Sequence, residues 1–279
     1  MNSANKYALL FVALLILSCK SEKKEQPQQT NESITEVDKL SESVRHHEWI
    51  DLKRFDGSVC KAFVVYPESS EPAKSVIVIH ENRGLNDWAR EFADELASHG
   101  YLVIAPDLIS NTVEGIEKTT DFENTDEARE AIYALEQDNV TADLNATFNY
   151  IKSDKASNGK VSVVGFCWGG SQTFRYAANN NSIEEALVFY GTGPKEEEAY
   201  SNIECNVYGF YGGNDNRVNS TIPDSEKYMK KYRRRFEPVI YPDAGHAFMR
   251  RGSQSDSDEA NKAAHDASWK RLLEILNDG

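Results

Sequence analysis

The sequence predicts one α/β domain over residues 46–279, built on a doubly wound and mostly parallel β-sheet. Three observations lead to this prediction. Short runs rich in β-branched residues alternate with helical patterns, as expected where helices cover both faces of a sheet. No tract of linker composition interrupts this alternation. Hydrophobic residues make up 40% of the 279 residues, which is enough for a sizeable core.

The region before this domain is predicted to direct export. Residues 1–18 hold Lys6 and then an apolar run, 7–17, shorter than the roughly 20 residues of a membrane-spanning helix. Ile16-Leu17-Ser18-Cys19 resembles a bacterial lipobox, in which the cysteine receives diacylglycerol and becomes the first residue after cleavage. We therefore expect a lipoprotein signal peptide and a lipid anchor on Cys19, at the extracytoplasmic side of the bacterial cell envelope. An ordinary secretory signal peptide containing a cysteine is the alternative.

Residues 19–45 are predicted to form a flexible tether. Lys, Glu, Gln, Ser and Asn dominate the segment from Lys20 to Ser43, which has almost no apolar residue to bury. A solvated tether of this kind would let a lipidated domain stand away from its membrane. His46 and His47 lie near its end, and adjacent histidines on a flexible segment seldom form a site.

Charge and cysteine content exclude two further classes of protein. Lys and Arg total 31 against 45 Asp and Glu, and this formal charge of -14 argues against nucleic acid as a partner. Four cysteines are too few for a small disulfide-stapled scaffold. Cys60 and Cys205 lie in or beside predicted strands and are interpreted as small buried hydrophobic residues. A disulfide between them is the alternative in an oxidising compartment.

The elements of the domain can be placed in order. Val59 to Tyr66 alternates polar and apolar residues and stops at Pro67, which is typical of an edge strand. The acidic stretch 111–129 is predicted to be a surface excursion or a lid. The other predicted strands cover 75–79, 102–105, 161–164, 186–190, 207–211 and 238–241, and the predicted helices cover 88–99, 126–153 with a break, 171–179, 223–234 and 260–276.

A glycine-rich turn after the strand at 161–164 is the first feature that points to catalysis. Gly165-Phe166-Cys167-Trp168-Gly169 places a cysteine between a strand and a helix, in the pattern of a nucleophile elbow. At the N-terminus of that helix, the dipole and the backbone N–H groups favour a thiolate. We therefore expect Cys167 to be a nucleophile with a lowered pKa. The same glycines, taken alone, also suit a turn that only ends a strand.

An acid and a histidine follow this cysteine in the order that such folds use. Asp215 comes directly after the strand at 207–211, and His246 comes shortly after the strand at 238–241. Because parallel strands end at one edge of a sheet, we expect both side chains to meet Cys167 there. His246 is predicted to act as base and later as acid, while Asp215 holds its tautomer. Each residue alone would also suit an ordinary loop or turn.

Together these segments resemble the dienelactone hydrolase family of the α/β-hydrolase fold, from about residue 50 to the C-terminus. The resemblance implies hydrolysis of a small ester or lactone through a thioester acyl-enzyme, with no metal or organic cofactor. The segments that carry it are Ile79-His80-Glu81-Asn82-Arg83-Gly84, Ala105-Pro106-Asp107-Leu108, Gly165-Phe166-Cys167-Trp168-Gly169-Gly170, Gly212-Gly213-Asn214-Asp215 and Ala244-Gly245-His246-Ala247-Phe248.

The same resemblance implies roles for further residues. The backbone N–H groups of Asn82 and Trp168 correspond to the family's oxyanion hole. Glu81 corresponds to a carboxylate that contacts the resting cysteine and helps to generate thiolate when substrate displaces it; a loop or capping carboxylate is the alternative. Arg250 corresponds to an arginine that binds a substrate carboxylate, and Phe248 is expected in the same substrate-binding site. The second arginine that usually follows Pro-Asp-Leu in similar enzymes does not follow Leu108 here, so it is missing or is supplied from elsewhere in the chain.

Two function classes follow from these residues. The first is a membrane-tethered hydrolase with a Cys-His-Asp triad, acting on esters or lactones met outside the cytoplasm. The second is a non-hydrolytic lipoprotein that binds a small ligand or responds to redox conditions through Cys167. The joint presence of Cys167, Asp215, His246 and Glu81 favours the hydrolase, because a binding protein needs no such combination. His80 is interpreted as a structural hydrogen-bonding group.

Overall fold

The structure is a computed structural model that describes residues 39–54 and 56–278. The predicted signal peptide, Cys19 and residues 20–38 of the predicted tether lie outside the described residues. In the described part of the chain, none of the helices combines the length and the apolar character that crossing a membrane would require.

One mixed β-sheet forms the centre of the domain. Its spatial order is β1-β2-β4-β3-β5-β6-β7-β8, and all pairs from β4 to β8 are parallel, while β2 is antiparallel to both β1 and β4. The strands are β1 (His47–Lys53), β2 (Val59–Val65), β3 (Ala73–Ile79), β4 (Leu102–Asp107), β5 (Ser157–Phe166), β6 (Glu185–Phe189), β7 (Asn206–Gly212) and β8 (Phe236–Tyr241).

Helices cover both faces of this sheet and confirm the predicted fold class. Every residue of β3, β4 and β6 is buried, which explains why their sequences read as continuous apolar runs. The helices are α1 (Asp87–Ser98), α2 (Thr125–Tyr133), α3 (Gln137–Ser153), α4 (Trp168–Ala177), α5 (Asn216–Asn219), α6 (Ile222–Lys231), α7 (Phe248–Gly252) and α8 (Glu259–Asp278), with short 3₁₀ turns at Thr119–Asp121 and Glu197–Asn202.

Alternate residues of each central strand pack into two separate hydrophobic cores, one on each face of the sheet. In β3, Ile77 and Ile79 belong to the hydrophobic cluster on one face, and Val76 and Val78 belong to the cluster on the other. This period of two is a property of the extended backbone. Because β3, β5, β7 and β8 are parallel, their following loops all leave the same edge of the sheet.

The edge strand β1 was missed by the sequence analysis. It pairs along its whole length with β2, so β2 is an interior strand and not the predicted edge. The sequence of β1, His-Glu-Trp-Ile-Asp-Leu-Lys, is mostly polar because an edge strand stays accessible to water. For that reason it could not be distinguished from the polar segment before it.

The end of the predicted tether also belongs to the folded body. Ser43 Oγ donates to Asp94 of α1 at 2.7 Å, and Arg45 Nε donates to the same carboxylate at 2.9 Å. His47, which was predicted to lie on a flexible segment, contacts Asp94 through its Nε2 at 2.6 Å. The boundary at residue 45 is therefore wrong, because Asp94 is buried in the folded part and takes its partners from residues 43–47.

The acidic stretch 111–129 is held against the folded domain by hydrogen bonds from Thr119 to Asp107. Thr119 donates to the buried carboxylate of Asp107 through its backbone N–H at 2.6 Å and through its hydroxyl at 2.7 Å. The same hydroxyl accepts the N–H of Leu85 at 3.0 Å. Position 84 requires glycine, because a Cβ there would come within 2.2 Å of the hydroxyl oxygen of Thr119. The stretch then continues into α2.

Cys60 and Cys205 are both buried and both free in the structure. Burial raises the pKa of each thiol, that of Cys205 to about 12. This agrees with their interpretation as small buried residues and not with the alternative of a disulfide between them.

Candidate active site

Cys167 occupies the sharp turn between β5 and α4. Its backbone has φ 56° and ψ -115°, a conformation that non-glycine residues rarely adopt. The glycines on either side let the turn close: a Cβ on Gly165 would come within 2.3 Å of the carbonyl oxygen of Gly169. A Cβ on Gly169 would come equally close, 2.3 Å, to the carbonyl oxygen of His80. The elbow therefore depends on glycine at both positions.

The structure brings the predicted acid and base to this cysteine. His246 Nε2 lies 3.1 Å from the Sγ of Cys167, and His246 Nδ1 lies 2.5 Å from Oδ2 of Asp215. Asp215 is buried, and its other oxygen accepts the backbone N–H of Val218 at 3.3 Å. An ionised Asp215 can only accept, so the Nδ1 of His246 carries the proton and its Nε2 is left to accept the S–H of the thiol.

The thiol in this arrangement is not the thiolate that the sequence predicted. Burial and the nearby negative charge of Glu81 raise the pKa of Cys167 to about 11. The backbone N–H groups of Trp168 and Asn82, together with Arg217, act in the opposite direction but do not overcome these two effects. The expectation of a lowered pKa was wrong because it considered the helix N-terminus and left out desolvation and the neighbouring carboxylate.

This pKa predicts the alkylation behaviour of the substrate-free protein. At pH 8, a pKa of about 11 leaves on the order of one thiol in a thousand ionised, whereas an ordinary pKa near 8.5 leaves about one in four. We therefore expect the rate of Cys167 alkylation by iodoacetamide, followed by peptide mass spectrometry, to keep rising up to about pH 11.

A variant separates the two causes of the raised pKa. Glu81→Gln removes the neighbouring negative charge, lowers the pKa of Cys167 and is expected to accelerate alkylation at pH 8 by about tenfold. Glu237→Gln, near the start of β8, is the matched control and should leave the rate unchanged. A rate that levels off near pH 8 in the unmodified protein would contradict the raised pKa.

A cavity of about 660 Å³ opens beside the sulfur. It lies at the edge of the sheet where β3, β5, β7 and β8 end, which is where open α/β sheets bind ligands. No residue from 111–129 is among its described lining residues, so of the two alternatives, a surface excursion or a lid, the structure favours the surface excursion. The lining residues are Glu81, Asn82, Arg83, Tyr133, Cys167, Trp168, Ser171, Tyr190, Thr192, Arg217, Val218, His246, Ala247, Arg250 and Arg251.

With this geometry established, the chain can be compared with known proteins. The family model described as the dienelactone hydrolase family matches residues 60–278. The chain belongs to the dienelactone hydrolase family. It is a dienelactone hydrolase-like carboxylic ester hydrolase, as its sequence motifs predicted.

Relatives of this hydrolase support the same grouping. A protein of Escherichia coli K12 named "Putative carboxymethylenebutenolidase" is 30% identical over 230 residues, covering 78% of this chain and 82% of the relative. The carboxymethylenebutenolidase of Pseudomonas putida is 28% identical over 231 residues, covering 81% and 94%. A solved structure of a dienelactone hydrolase-like promiscuous phosphotriesterase from metagenomic libraries has 21% identity and a TM-score of 0.70, covering 84% and 98%, which supports the fold.

The carboxylate of Glu81 has partners other than the sulfur of Cys167. Glu81 accepts from Nε of Arg250 at 2.8 Å and from the hydroxyl of Tyr190 at 3.3 Å. Its charge still acts on Cys167, although the hydrogen-bonding partner of the thiol is His246, whose Nε2 accepts the S–H. Burial and Glu81 raise the pKa of Tyr190 well above its usual range, so the Tyr190 hydroxyl stays protonated and donates.

Arg250 and Phe248 have different positions relative to the cavity. Arg250 lines it, but its side chain is bound to Glu81. Phe248 is completely buried, with its ring centre 5.3 Å from that of Tyr190 and 5.4 Å from that of Tyr241. The expectation that Phe248 contacts substrate is therefore wrong: it is the first residue of α7, and its side chain turns into the core.

Other residues of the site were missed by the sequence analysis. Arg217 comes two residues after Asp215, Arg83 comes two residues after Glu81, and both line the cavity. Their closeness in sequence to the catalytic motifs was the signal that could have found them. His80 is buried and bonded to backbone groups on both sides, Glu81 O at 2.8 Å and Leu108 N at 3.4 Å, as its structural interpretation requires.

In residues 39–54 and 56–278, no three His, Cys, Asp or Glu side chains are grouped as ligands for a metal ion.

Proposed function

We propose that this hydrolase cleaves an ester or lactone through a thioester on Cys167, with His246 and Asp215 as the other members of the triad. The observation that carries the proposal is the continuous chain of contacts from sulfur to imidazole, 3.1 Å, and from imidazole to carboxylate, 2.5 Å. These three side chains come from loops after β5, β8 and β7, which only the fold brings together.

The acylation half of the reaction follows from this chain. His246 Nε2 takes the proton of Cys167 while the sulfur attacks the carbonyl carbon of the substrate. The carbonyl oxygen becomes an oxyanion, for which the backbone N–H groups of Trp168 and Asn82 are the donors, since both already face the sulfur. When the intermediate collapses, the alcohol oxygen leaves with the proton that His246 holds, and a thioester remains on Cys167.

The deacylation half uses the same groups in reverse. His246 takes a proton from water, the water oxygen attacks the thioester carbonyl, and the C–S bond breaks to release the carboxylic acid. The sulfur recovers the proton from His246. Asp215 stays ionised throughout, because its function is to orient the imidazole and to stabilise its charged form. In a lactone the leaving oxygen stays joined to the acyl group, so the product is one hydroxy acid.

Besides His246, Glu81 affects the protonation of the Cys167 thiol in the resting enzyme. While Glu81 is bound to Arg250, its charge favours the protonated sulfur. A substrate carboxylate that binds Arg250 would compete for this partner and free Glu81. The freed Glu81 would offer a second route for the thiol proton, in which Glu81 accepts it in place of His246 and gives it to the leaving alcohol oxygen. This step accounts for the implied function of Glu81 in generating thiolate and of Arg250 in binding a carboxylate.

The proposal is tested by looking for the acyl-enzyme. With p-nitrophenyl butyrate, we expect a burst of one p-nitrophenolate per protein and a butyryl group on the peptide that contains Cys167. Cys167→Ala should show neither, whereas Cys205→Ala, which changes a buried cysteine outside the site, should keep both. Equal rates for Cys167→Ala and the unmodified protein would exclude this mechanism. No turnover by either protein would favour the ligand-binding or redox alternative.

We also propose that the enzyme is a lipoprotein of the bacterial cell envelope, anchored through Cys19. The support is the lipobox-like Ile16-Leu17-Ser18-Cys19 after a short apolar run. Such an enzyme would meet its esters or lactones outside the cytoplasm. Growth of an expressing bacterium with radioactive palmitate should label the unmodified chain and leave Cys19→Ala unlabelled. Equal labelling of both chains would contradict the anchor.

A further inference from the structure

Three arginines at the mouth of the active-site cavity have no acidic partner in the described part of the chain. Arg83 lies after β3, Arg217 lies in α5 and Arg251 lies in α7, so each comes from a different loop at the carboxyl edge of the sheet. All three side chains are exposed and line the cavity that contains Cys167. We call these three residues the arginine rim.

The other arginines of the chain make the rim unusual. Eight arginines within residues 39–54 and 56–278 form ion pairs with Asp or Glu; they are Arg45, Arg54, Arg90, Arg129, Arg175, Arg234, Arg235 and Arg250. Acidic residues are not scarce, since 45 of them face 31 Lys and Arg in the sequence. Arg233 and Arg271 also lack an acidic partner within the described residues, but Arg271 donates to the backbone carbonyls of Gly209 and Glu237, and neither residue lines the cavity. The rim is therefore distinguished by three such arginines around one cavity.

The charge of the cavity is opposite to that of the protein. Glu81 is the one acidic side chain among the described lining residues, and it is paired with Arg250. The rim consequently gives the cavity an excess positive charge in a chain whose formal net charge is -14. A cleft lined by charge of one sign concentrates ligands of the opposite sign. Guanidinium groups are suited to this because they bind carboxylates and phosphates through two parallel hydrogen bonds.

The rim arginines differ from Arg250 in their exposure to solvent and in their lack of an acidic partner in the part of the chain that the structure describes. The side chain of Arg250 is 19% exposed and is bound to Glu81 close to the sulfur, whereas the rim arginines are exposed and have no protein partner in the described residues. One substrate carboxylate near the reacting carbonyl would engage Arg250 and leave the rim unmatched. The rim therefore favours a ligand with negative charge beyond the one carboxylate that Arg250 would bind.

We propose that the arginine rim binds a polyanionic part of the substrate, with two or more carboxylate or phosphate charges. This inference rests on the proposed hydrolysis at Cys167 and adds the substrate class. Arg217 and Arg83 are the specificity-determining residues, because both line the cavity and each lies two residues after a residue of the proposed site, Asp215 or Glu81.

The test compares three p-nitrophenyl esters whose acyl groups share a five-carbon main chain: valerate, which is neutral, hydrogen glutarate with one charge, and dihydrogen tricarballylate, which has one more carboxylate as a branch and so carries two charges. We expect kcat/KM to rise with each charge. The ratio of kcat/KM between the doubly charged and neutral esters is expected to fall by about fivefold in Arg217→Gln or Arg83→Gln, mainly through KM. Arg217→Lys should keep part of the preference, and 0.5 M NaCl should reduce it in the unmodified enzyme.

A matched control removes the same charge elsewhere. Arg235 directly precedes β8, at the opposite end of that strand from the site, so Arg235→Gln should leave the ratio unchanged. Inhibition of valerate hydrolysis by tricarballylate and by pyrophosphate then distinguishes the two sources of charge. Stronger inhibition by the first indicates a carboxylate ligand, and stronger inhibition by the second indicates a phosphate ligand. In both cases the inhibition should weaken in Arg217→Gln.

Three results would contradict the proposal that the arginine rim binds a polyanion. They are equal kcat/KM for the three esters, a preference for charged esters that survives in the double variant Arg83→Gln/Arg217→Gln, and no inhibition by either polyanion. Each of these leaves the proposed function intact as long as valerate is hydrolysed in a Cys167-dependent reaction. Loss of that reaction in the unmodified enzyme would instead remove the proposed function.

Discussion

His246→Ala is expected to lower kcat/KM for a neutral p-nitrophenyl ester by about 10⁴-fold. The raised pKa of Cys167, about 11, is the reason for so large an effect. At pH 7 such a thiol is ionised in only about one molecule in ten thousand, so attack by sulfur needs a base within hydrogen-bonding distance. His246 Nε2, which lies 3.1 Å from the sulfur, is the base that we propose.

The measurement is steady-state hydrolysis of p-nitrophenyl butyrate at pH 7, with His46→Ala as the matched control. His46 is largely exposed and lies outside the cavity, so its replacement should leave kcat/KM unchanged. Added imidazole should restore part of the activity of His246→Ala, which a variant that merely failed to fold would not show. Activity within tenfold of the unmodified enzyme would rule out His246 as the base.

Gly169→Ala is expected to lower the free energy of unfolding by about 3 kcal/mol, near the upper end for one added carbon in a packed interior. The new Cβ would lie 2.3 Å from the carbonyl oxygens of both Ile79 and His80. These are backbone atoms at the end of β3, so relief requires α4 to move away from the sheet. The same movement would shift Cys167 relative to Asn82, and we expect hydrolysis to fall as well.

Chemical denaturation measures the first effect, and Gly245→Ala is the matched control. A Cβ at Gly245 would make one ordinary contact, 3.7 Å from a side-chain oxygen of Asn261, so its cost should be less than about 1 kcal/mol. If both glycine variants unfold at the same denaturant concentration, the close approach of α4 to β3 is not the constraint we infer.

The sequence predicted most of the fold because the central strands and their helices obey local rules. The buried runs at β3, β4 and β5 were recognisable from β-branched residues, and the break in the predicted helix at 126–153 became the gap between α2 and α3. β1 and residues 39–45 were missed for the opposite reason. Their polar side chains are satisfied by contacts with α1 and β2, and nothing in the local composition indicates such partners.

The sequence by itself determined the elbow, the order of nucleophile, acid and histidine, and the edge of the sheet where they meet. Each of these depends on backbone geometry that a few neighbouring residues specify, such as glycine on both sides of Cys167 and parallel strands that end together.

Only the tertiary structure decided the electrostatics of the site. It raised the pKa of Cys167 where the helix N-terminus alone predicted a decrease, joined Arg250 to Glu81, and turned Phe248 into the core. It also gathered Arg83, Arg217 and Arg251 around one cavity. Desolvation and charge are sums over every group nearby, and those groups come from loops that are far apart in the chain.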